Sequence, residues 1–259
     1  MPASSKPAGS GSATASAACS DRAAMSRRQY LTRDGVRLSW VDFGGDGDIL
    51  ACLHGRSGCA RNFAPLARAL APDWRVIALD QRGHGWSDHS DDGSRAAFVA
   101  DAAAFVENLQ AGPVRLLGHS LGGVNAYQPE ESWPPRWETL DEFLAFMRRT
   151  PIGMNRLLLD NLVEYEDGWG FRFTDENYRP VRDALTGDWS DDWAAIQCPI
   201  LLMHGTASWA VTRAEIDRMA ALNPRTEVKI FDGAGHVPHD ERPAEVVAVL
   251  RDFLARQAA

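Results

Sequence analysis

From Arg28 onward, short apolar runs closed by glycine alternate with amphipathic stretches of helical period, and no other feature of the chain restricts its fold as strongly. A run such as Leu50-Ala51-Cys52-Leu53 or Val76-Ile77-Ala78-Leu79 has no polar face. It must be covered on both sides, as in a parallel sheet with helices packed above and below. The alternation is the pattern of α/β architecture. Strands are predicted near 29–32, 36–43, 48–53, 75–80, 113–118, 199–204 and 226–231, and helices near 61–71, 95–110, 120–127, 212–222 and 243–256. Arg33-Asp34-Gly35, between the first two strands, reads as a tight hairpin of the Asp-Gly kind.

The 259 residues suit one domain carrying an insertion. Residues 1–27 read as a disordered tail, since the first 24 are rich in Ala, Ser, Gly and Pro. Residues 28–128 and 196–259 read as the two parts of a core. Between them, 129–195 changes texture, with Trp133, Pro134, Pro135, Trp137, Trp169, Trp189 and Trp193 among helical pieces at 140–149 and 155–162, and reads as a helical cap. The tail has no apolar core of a secretory leader, so the expected location is cytoplasmic. No run of about 18 apolar residues predicts a membrane span. With 27 Lys+Arg against 35 Asp+Glu and no basic stripe, nucleic acid is not an expected partner. Cys19, Cys52, Cys59 and Cys198 form no CxxC pair, and no short-spaced Cys/His set predicts a metal or other cofactor.

Gly118-His119-Ser120-Leu121-Gly122 fits G-x-S-x-G between an apolar strand and a helix-compatible stretch. A serine on so sharp a turn has strained backbone angles, and glycines two residues away let strand and helix approach. Its Oγ is then exposed at a helix N-terminus, whose amides favour a developing oxyanion. Seven histidines could serve as its base: His54, His84, His89, His119, His204, His236 and His239. The best placed is His236, on the Gly-rich loop after the last strand, which emerges at the same sheet edge; His239 is its main rival. In His54-Gly55-Arg56-Ser57-Gly58 the Arg56 amide, with that of Leu121, forms a two-donor oxyanion hole. Asp80-Gln81-Arg82-Gly83-His84-Gly85-Trp86-Ser87 reads as a structural turn stapled by Asp80 and Arg82.

Taken in this order, HGRSG, DQRGHGWS, GHSLGG and GAGH resemble the cap-bearing, epoxide-hydrolase-like and esterase-like branch of the α/β-hydrolase superfamily, over about 28–127 and 196–256. The resemblance implies a mostly parallel sheet flanked by helices, Ser120 as nucleophile, His236 as general base, and Arg56 and Leu121 as oxyanion donors. A serine at the elbow argues against epoxide hydrolase and haloalkane dehalogenase chemistry. The implied activity is cleavage of a small apolar carboxylic ester or related acyl substrate. Trp133, Trp137, Phe143, Phe146, Met147 and Trp169 are expected either to line an apolar pocket or to pack the cap on the core. Carbon-carbon bond hydrolysis on the same fold and a non-catalytic binding protein are the alternatives.

The sequence departs from this family in two places. Where the acid of the triad belongs, Gly205-Thr206-Ala207-Ser208-Trp209 offers only Ser208, so the third member is expected to be missing. After Tyr127 the chain passes at once to Gln128-Pro129-Glu130-Glu131-Ser132-Trp133-Pro134-Pro135, with the rest of the elbow helix and one central strand absent. Prolines and charges bar 128–138 from replacing that strand. The expectation is an internally deleted, impaired hydrolase. Either its neighbours stand roughly 10 Å apart across an unfilled slot or 113–118 and 199–204 pair directly. Glu130 and Glu131 are weak candidates for the acid.

Overall fold

The computed structural model describes residues 27–120, 136–149, 159–172 and 187–257. The tail up to residue 26, the helix predicted after Ser120, and Leu121, Glu130, Glu131 and Trp133 lie outside the described residues. Arg27, assigned above to the tail, opens the first strand instead.

The strands are β1 (Arg27–Arg33), β2 (Val36–Asp42), β3 (Asp48–Leu53), β4 (Trp74–Asp80), β5 (Arg115–Gly118), β6 (Leu162–Tyr165), β7 (Gly168–Phe171), β8 (Ile200–Gly205) and β9 (Thr226–Phe231). The helices are α1 (Ala64–Leu70), α2 (Arg95–Asn108), α3 (Leu140–Met147), α4 (Ser190–Ala194), α5 (Arg213–Leu222), α6 (Pro238–Glu241) and α7 (Pro243–Arg256). The main sheet has the order β1-β2-β4-β3-β5, with β2 antiparallel to both neighbours and the remaining pairs parallel. Asp34 and Gly35 turn the first hairpin at φ of 48° and 79°, the left-handed pair that this turn requires.

The apolar runs divide between two faces with a period of two. Leu50, Cys52, Val76 and Ala78 pack with Leu66 and Leu70 of α1 and with Val246, Leu250 and Leu254 of α7. Ala51, Ile77 and Leu79 face the other way, against Leu38, Trp40 and Phe105 of α2. The result is a mixed sheet flanked by helices, the architecture that the resemblance implies.

Among the described residues the ladder ends at β5. β8 and β9 pair in parallel with each other, and among the described residues no ladder joins β5 to β8. Of the two outcomes expected at the gap, direct pairing is the one not adopted. The two halves are held instead by a shared core, in which Phe231 and Ala234 join Leu117 and the α1–α7 layer, with Leu201 and Met203 against it. The Arg251 guanidinium also donates to the Ala69 carbonyl at 3.1 Å and pairs with Asp73.

Within the cap region, the helix expected over 155–162 is corrected at its described end, where Leu162 starts a strand. β6 and β7 form an antiparallel hairpin, so this region is not wholly helical. Apolar segments as short as these cannot be assigned to helix or strand by period alone. Of the two readings given to the cap's apolar residues, Trp137, Phe143 and Met147 follow packing, though with one another and Phe171 as a small core of their own.

Asp80 and Arg82 do staple their loop, each to a different element. The Asp80 carboxylate is fully buried and accepts from the Ala60 amide at 2.7 Å, the Trp86 amide at 3.1 Å, the Ser39 hydroxyl at 3.0 Å and the Arg28 guanidinium. Arg82 forms a two-pronged pair with Asp101 of α2, at 2.5 and 2.8 Å.

Candidate active site

Ser120 follows β5 with φ of 57°, a left-handed conformation that a serine adopts only under constraint from its surroundings. The constraint is visible on one side. The His119 amide continues the parallel ladder by donating to the Leu53 carbonyl at 3.0 Å, and the loop after β3 then lies against the turn. A Cβ on Gly55 would come within 2.9 Å of the Ser120 Cβ and 2.8 Å of the His119 ring. Only glycine lets the two backbones meet so closely. Arg56 belongs to the Gly55–Gly58 turn, which is closed by a 3.0 Å amide-to-carbonyl bond and meets the elbow at Gly55. From the cap, Asn161 Nδ2 donates to the Ser57 carbonyl at 2.9 Å and fastens the same turn.

The structure brings His236, not His239, onto the serine. His236 Nε2 stands 2.7 Å from Ser120 Oγ. The His239 ring lies against Phe63, at 5.7 Å between centroids, and against His119, at 4.8 Å. The loop bearing His236 is held by Glu241 of α6, whose carboxylate accepts from the amides of Gly235, at 2.6 Å, and Val237, at 3.3 Å. His119 Nε2 donates to the His236 carbonyl at 3.1 Å and adds a third tie. Burial lowers the pKa of His236 from the usual histidine value, helped by His204 and opposed by Glu241.

Behind His236 stands a residue that sequence reasoning set aside. Ser208 Oγ lies 3.1 Å from His236 Nδ1, the atom that an orienting acid would engage. Gly205 makes this possible, because a Cβ there would sit 2.2 Å from the Gly235 carbonyl oxygen and 2.3 Å from that of Ala234. With the Ala207 amide donating to the Ala234 carbonyl at 2.9 Å, the two loops are pinned together. The signal for Ser208 in the sequence is its place, the acid's own position, filled by a hydroxyl where the family pattern has a carboxylate. Glu241 had no signal in the sequence.

Two other motif histidines are structural. His54 donates from Nδ1 to the Gly55 carbonyl at 2.7 Å and accepts at Nε2 from the Gln81 amide at 3.0 Å, which fixes its neutral form. His84 is likewise buried, its Nδ1 donating to the Arg82 carbonyl at 2.9 Å, and burial pushes its pKa down to about 3. As pH falls below about 6.5, the unfolded chain protonates these rings while the folded chain does not, so unfolding takes up protons and stability declines. The melting temperature is expected to be highest above pH 7 and to fall by several degrees per pH unit towards pH 4.5. His84→Gln should flatten that slope in a thermal melt series.

No group of three or more His, Cys, Asp or Glu among the described residues is arranged to hold a metal ion. No helix among them is long and apolar enough to cross a membrane.

Residues 50–249 match the profile of the alpha/beta hydrolase family. The chain is 34% identical to an sn-1-specific diacylglycerol lipase of Xenopus tropicalis, over 91% of this chain and 87% of that protein. It is 24% identical to 2-(acetamidomethylene)succinate hydrolase of Mesorhizobium japonicum, over 81% of this chain and 89% of that one. The latter alignment runs to 247 positions, more than that share of 259 residues, so part of the relative faces gaps in this chain. Among solved structures, E-2-(acetamidomethylene)succinate hydrolase superposes with a TM-score of 0.77 at 20% identity, over 89% of this chain and 99% of its own. The thioesterase domain from the curacin biosynthetic pathway gives 0.72 at 17% identity, over 88% and 99%.

Proposed function

The chain belongs to the alpha/beta hydrolase family, and from that premise we propose that it is a serine hydrolase acting on a small carboxylic ester or related acyl substrate through an acyl-enzyme on Ser120. The observation that carries this reading is the 2.7 Å contact between His236 Nε2 and Ser120 Oγ at a left-handed elbow. In the proposed cycle, Ser120 Oγ attacks the acyl carbon and its proton passes to His236 Nε2. The imidazolium returns that proton to the alkoxide as the ester bond breaks, and water then releases the acid by the same path. The Arg56 amide, and that of Leu121 outside the described residues, are the proposed oxyanion donors. Trp209, largely exposed with its ring 5.0 Å from that of His236, is the proposed aromatic contact for substrate.

The test combines fluorophosphonate labelling with hydrolysis of p-nitrophenyl acetate and butyrate, each beside Ser120→Ala. Labelling and turnover that vanish in the variant support the reading. An inert Ser120 in a protein that melts cooperatively would replace it with a non-catalytic binding role.

A further inference from the structure

A hydroxyl in the acid's place differs from a carboxylate in one property that matters here. A carboxylate only accepts, whereas a serine Oγ both accepts and donates. Two networks therefore satisfy the same heavy-atom positions. In one, His236 Nδ1–H donates to Ser208 Oγ, and Nε2 offers its lone pair to the Ser120 hydroxyl. In the other, the Ser208 hydroxyl donates to Nδ1, and Nε2–H points at Ser120 Oγ, unable to take its proton. The distances of 3.1 Å at Nδ1 and 2.7 Å at Nε2 serve both.

The surroundings of Ser208 bear on the choice. The amides of Ala210 and Val211 both donate to its Oγ at 3.4 Å. They occupy lone-pair capacity and leave the hydroxyl proton to be directed at Nδ1, the idle arrangement. The titratable groups around His236 are His119, His239, His204 and Glu241. Glu241 is the carboxylate among them, and its oxygens are taken up by the Gly235 and Val237 amides.

Building on the serine-hydrolase reading, we propose that Ser208 is the positioning residue of a Ser120–His236–Ser208 relay, and that its two-way hydroxyl divides the resting imidazole between a productive and an idle tautomer. The chain is then a hydrolase whose throttle is one side chain, and an acceptor-only group at 208 opens it.

The experiment compares the full chain with Ser208→Asp, Ser208→Ala, Ser208→Thr and Ser120→Ala. It reads p-nitrophenyl butyrate kcat and KM from pH 5 to 9, fluorophosphonate labelling, thermal melts, and the imidazole ¹⁵N shifts of His236. Ser208→Asp is expected to raise kcat by roughly 10²-fold or more with KM little changed. It should move the acid limb of the profile to higher pH, because an anion at Nδ1 favours the imidazolium. The Nε2 shift should move towards that of an unprotonated nitrogen. Ser208→Ala should lower kcat severalfold, and Ser208→Thr should restore it. Equal rates, pH profiles and ¹⁵N shifts for wild type, Ser208→Ala and Ser208→Asp, with turnover that still needs Ser120, would overturn the relay alone. If Ser208→Asp does not melt cooperatively, the alanine and threonine variants decide: loss in one and retention in the other supports the relay, equal rates overturn it. Absence of Ser120-dependent labelling and turnover in both wild type and Ser208→Asp would remove the hydrolase reading itself, and the relay with it.

Discussion

His236→Ala is expected to lower Ser120-dependent turnover by roughly 10²-fold in the chain as it stands, and by roughly 10⁴-fold or more in a Ser208→Asp background. The contrast follows from how a relay fails. In a serine protease with an intact triad, removing the nucleophile or the base costs about 10⁶ in kcat, and removing the acid alone about 10⁴. A chain that already has a hydroxyl in the acid's place has given up most of the larger figure, and the base has only the remainder left to contribute. Restoring an acceptor-only partner returns the base to full effect, so its deletion becomes more expensive. Ser120→Ala should match His236→Ala in each background, and the double variant should lose no more than either, because the residues act as a unit. The measurement is kcat for p-nitrophenyl butyrate in the eight combinations. A loss from His236→Ala that is the same in both backgrounds would mean that residue 208 does not act through His236.

Much of this site was legible in the sequence because its positions are set by local backbone rules. Ser120 had to sit between glycines after a strand, and His236 on a glycine-rich loop at the same edge; the structure joins them at 2.7 Å. The main sheet was legible for a similar reason, since runs such as Val76–Leu79 admit only a strand buried on both faces. The hairpin turned by Asp34 and Gly35 followed from the positive φ that Asp-Gly accepts. What was not legible depends on contacts distant in sequence. The position of Ser208 was marked by the motif that begins at Gly205, but its tie to His236 needs the approach of two loops across that glycine, which no local pattern specifies. Trp137, Phe143 and Met147 face one another because β6 and β7 form a hairpin beneath them, and composition alone could not separate that small core from a pocket wall. The sequence left open whether β5 and β8 pair directly, and among the described residues they do not. The choice falls to packing, because α7 buries Val246, Leu250 and Leu254 against the first half whether or not β5 and β8 are joined.

Asp80→Asn is expected to destabilise the fold by about 3–5 kcal/mol, the cost of removing one partner from a buried charged network. In a chain of this size that lowers the melting temperature by roughly 10 °C or more. Four donors converge on the carboxylate: the amides of Ala60 and Trp86, the Ser39 hydroxyl and the Arg28 guanidinium. An asparagine accepts at one atom and presents N–H groups at the other, so one side of this convergence becomes donor against donor. Neither the Ser39 hydroxyl nor the Ala60 amide can turn to water, since both residues are fully buried. The exposed Arg251–Asp73 pair supplies the control, its side chains 40% and 54% accessible. Asp73→Asn should cost less than about 1 kcal/mol, as exposed ion pairs generally do. The same substitution reaches the site. Ala60 begins the turn of helix that follows Arg56, Ser57 and Gly58, and the bond from its amide to Asp80 helps to set where that loop stands beside Ser120. Thermal melts beside fluorophosphonate labelling at a temperature where the variant is still folded separate the two effects. A slower labelling rate there places Asp80 behind the oxyanion loop as well as within the core, and an unchanged rate confines it to stability.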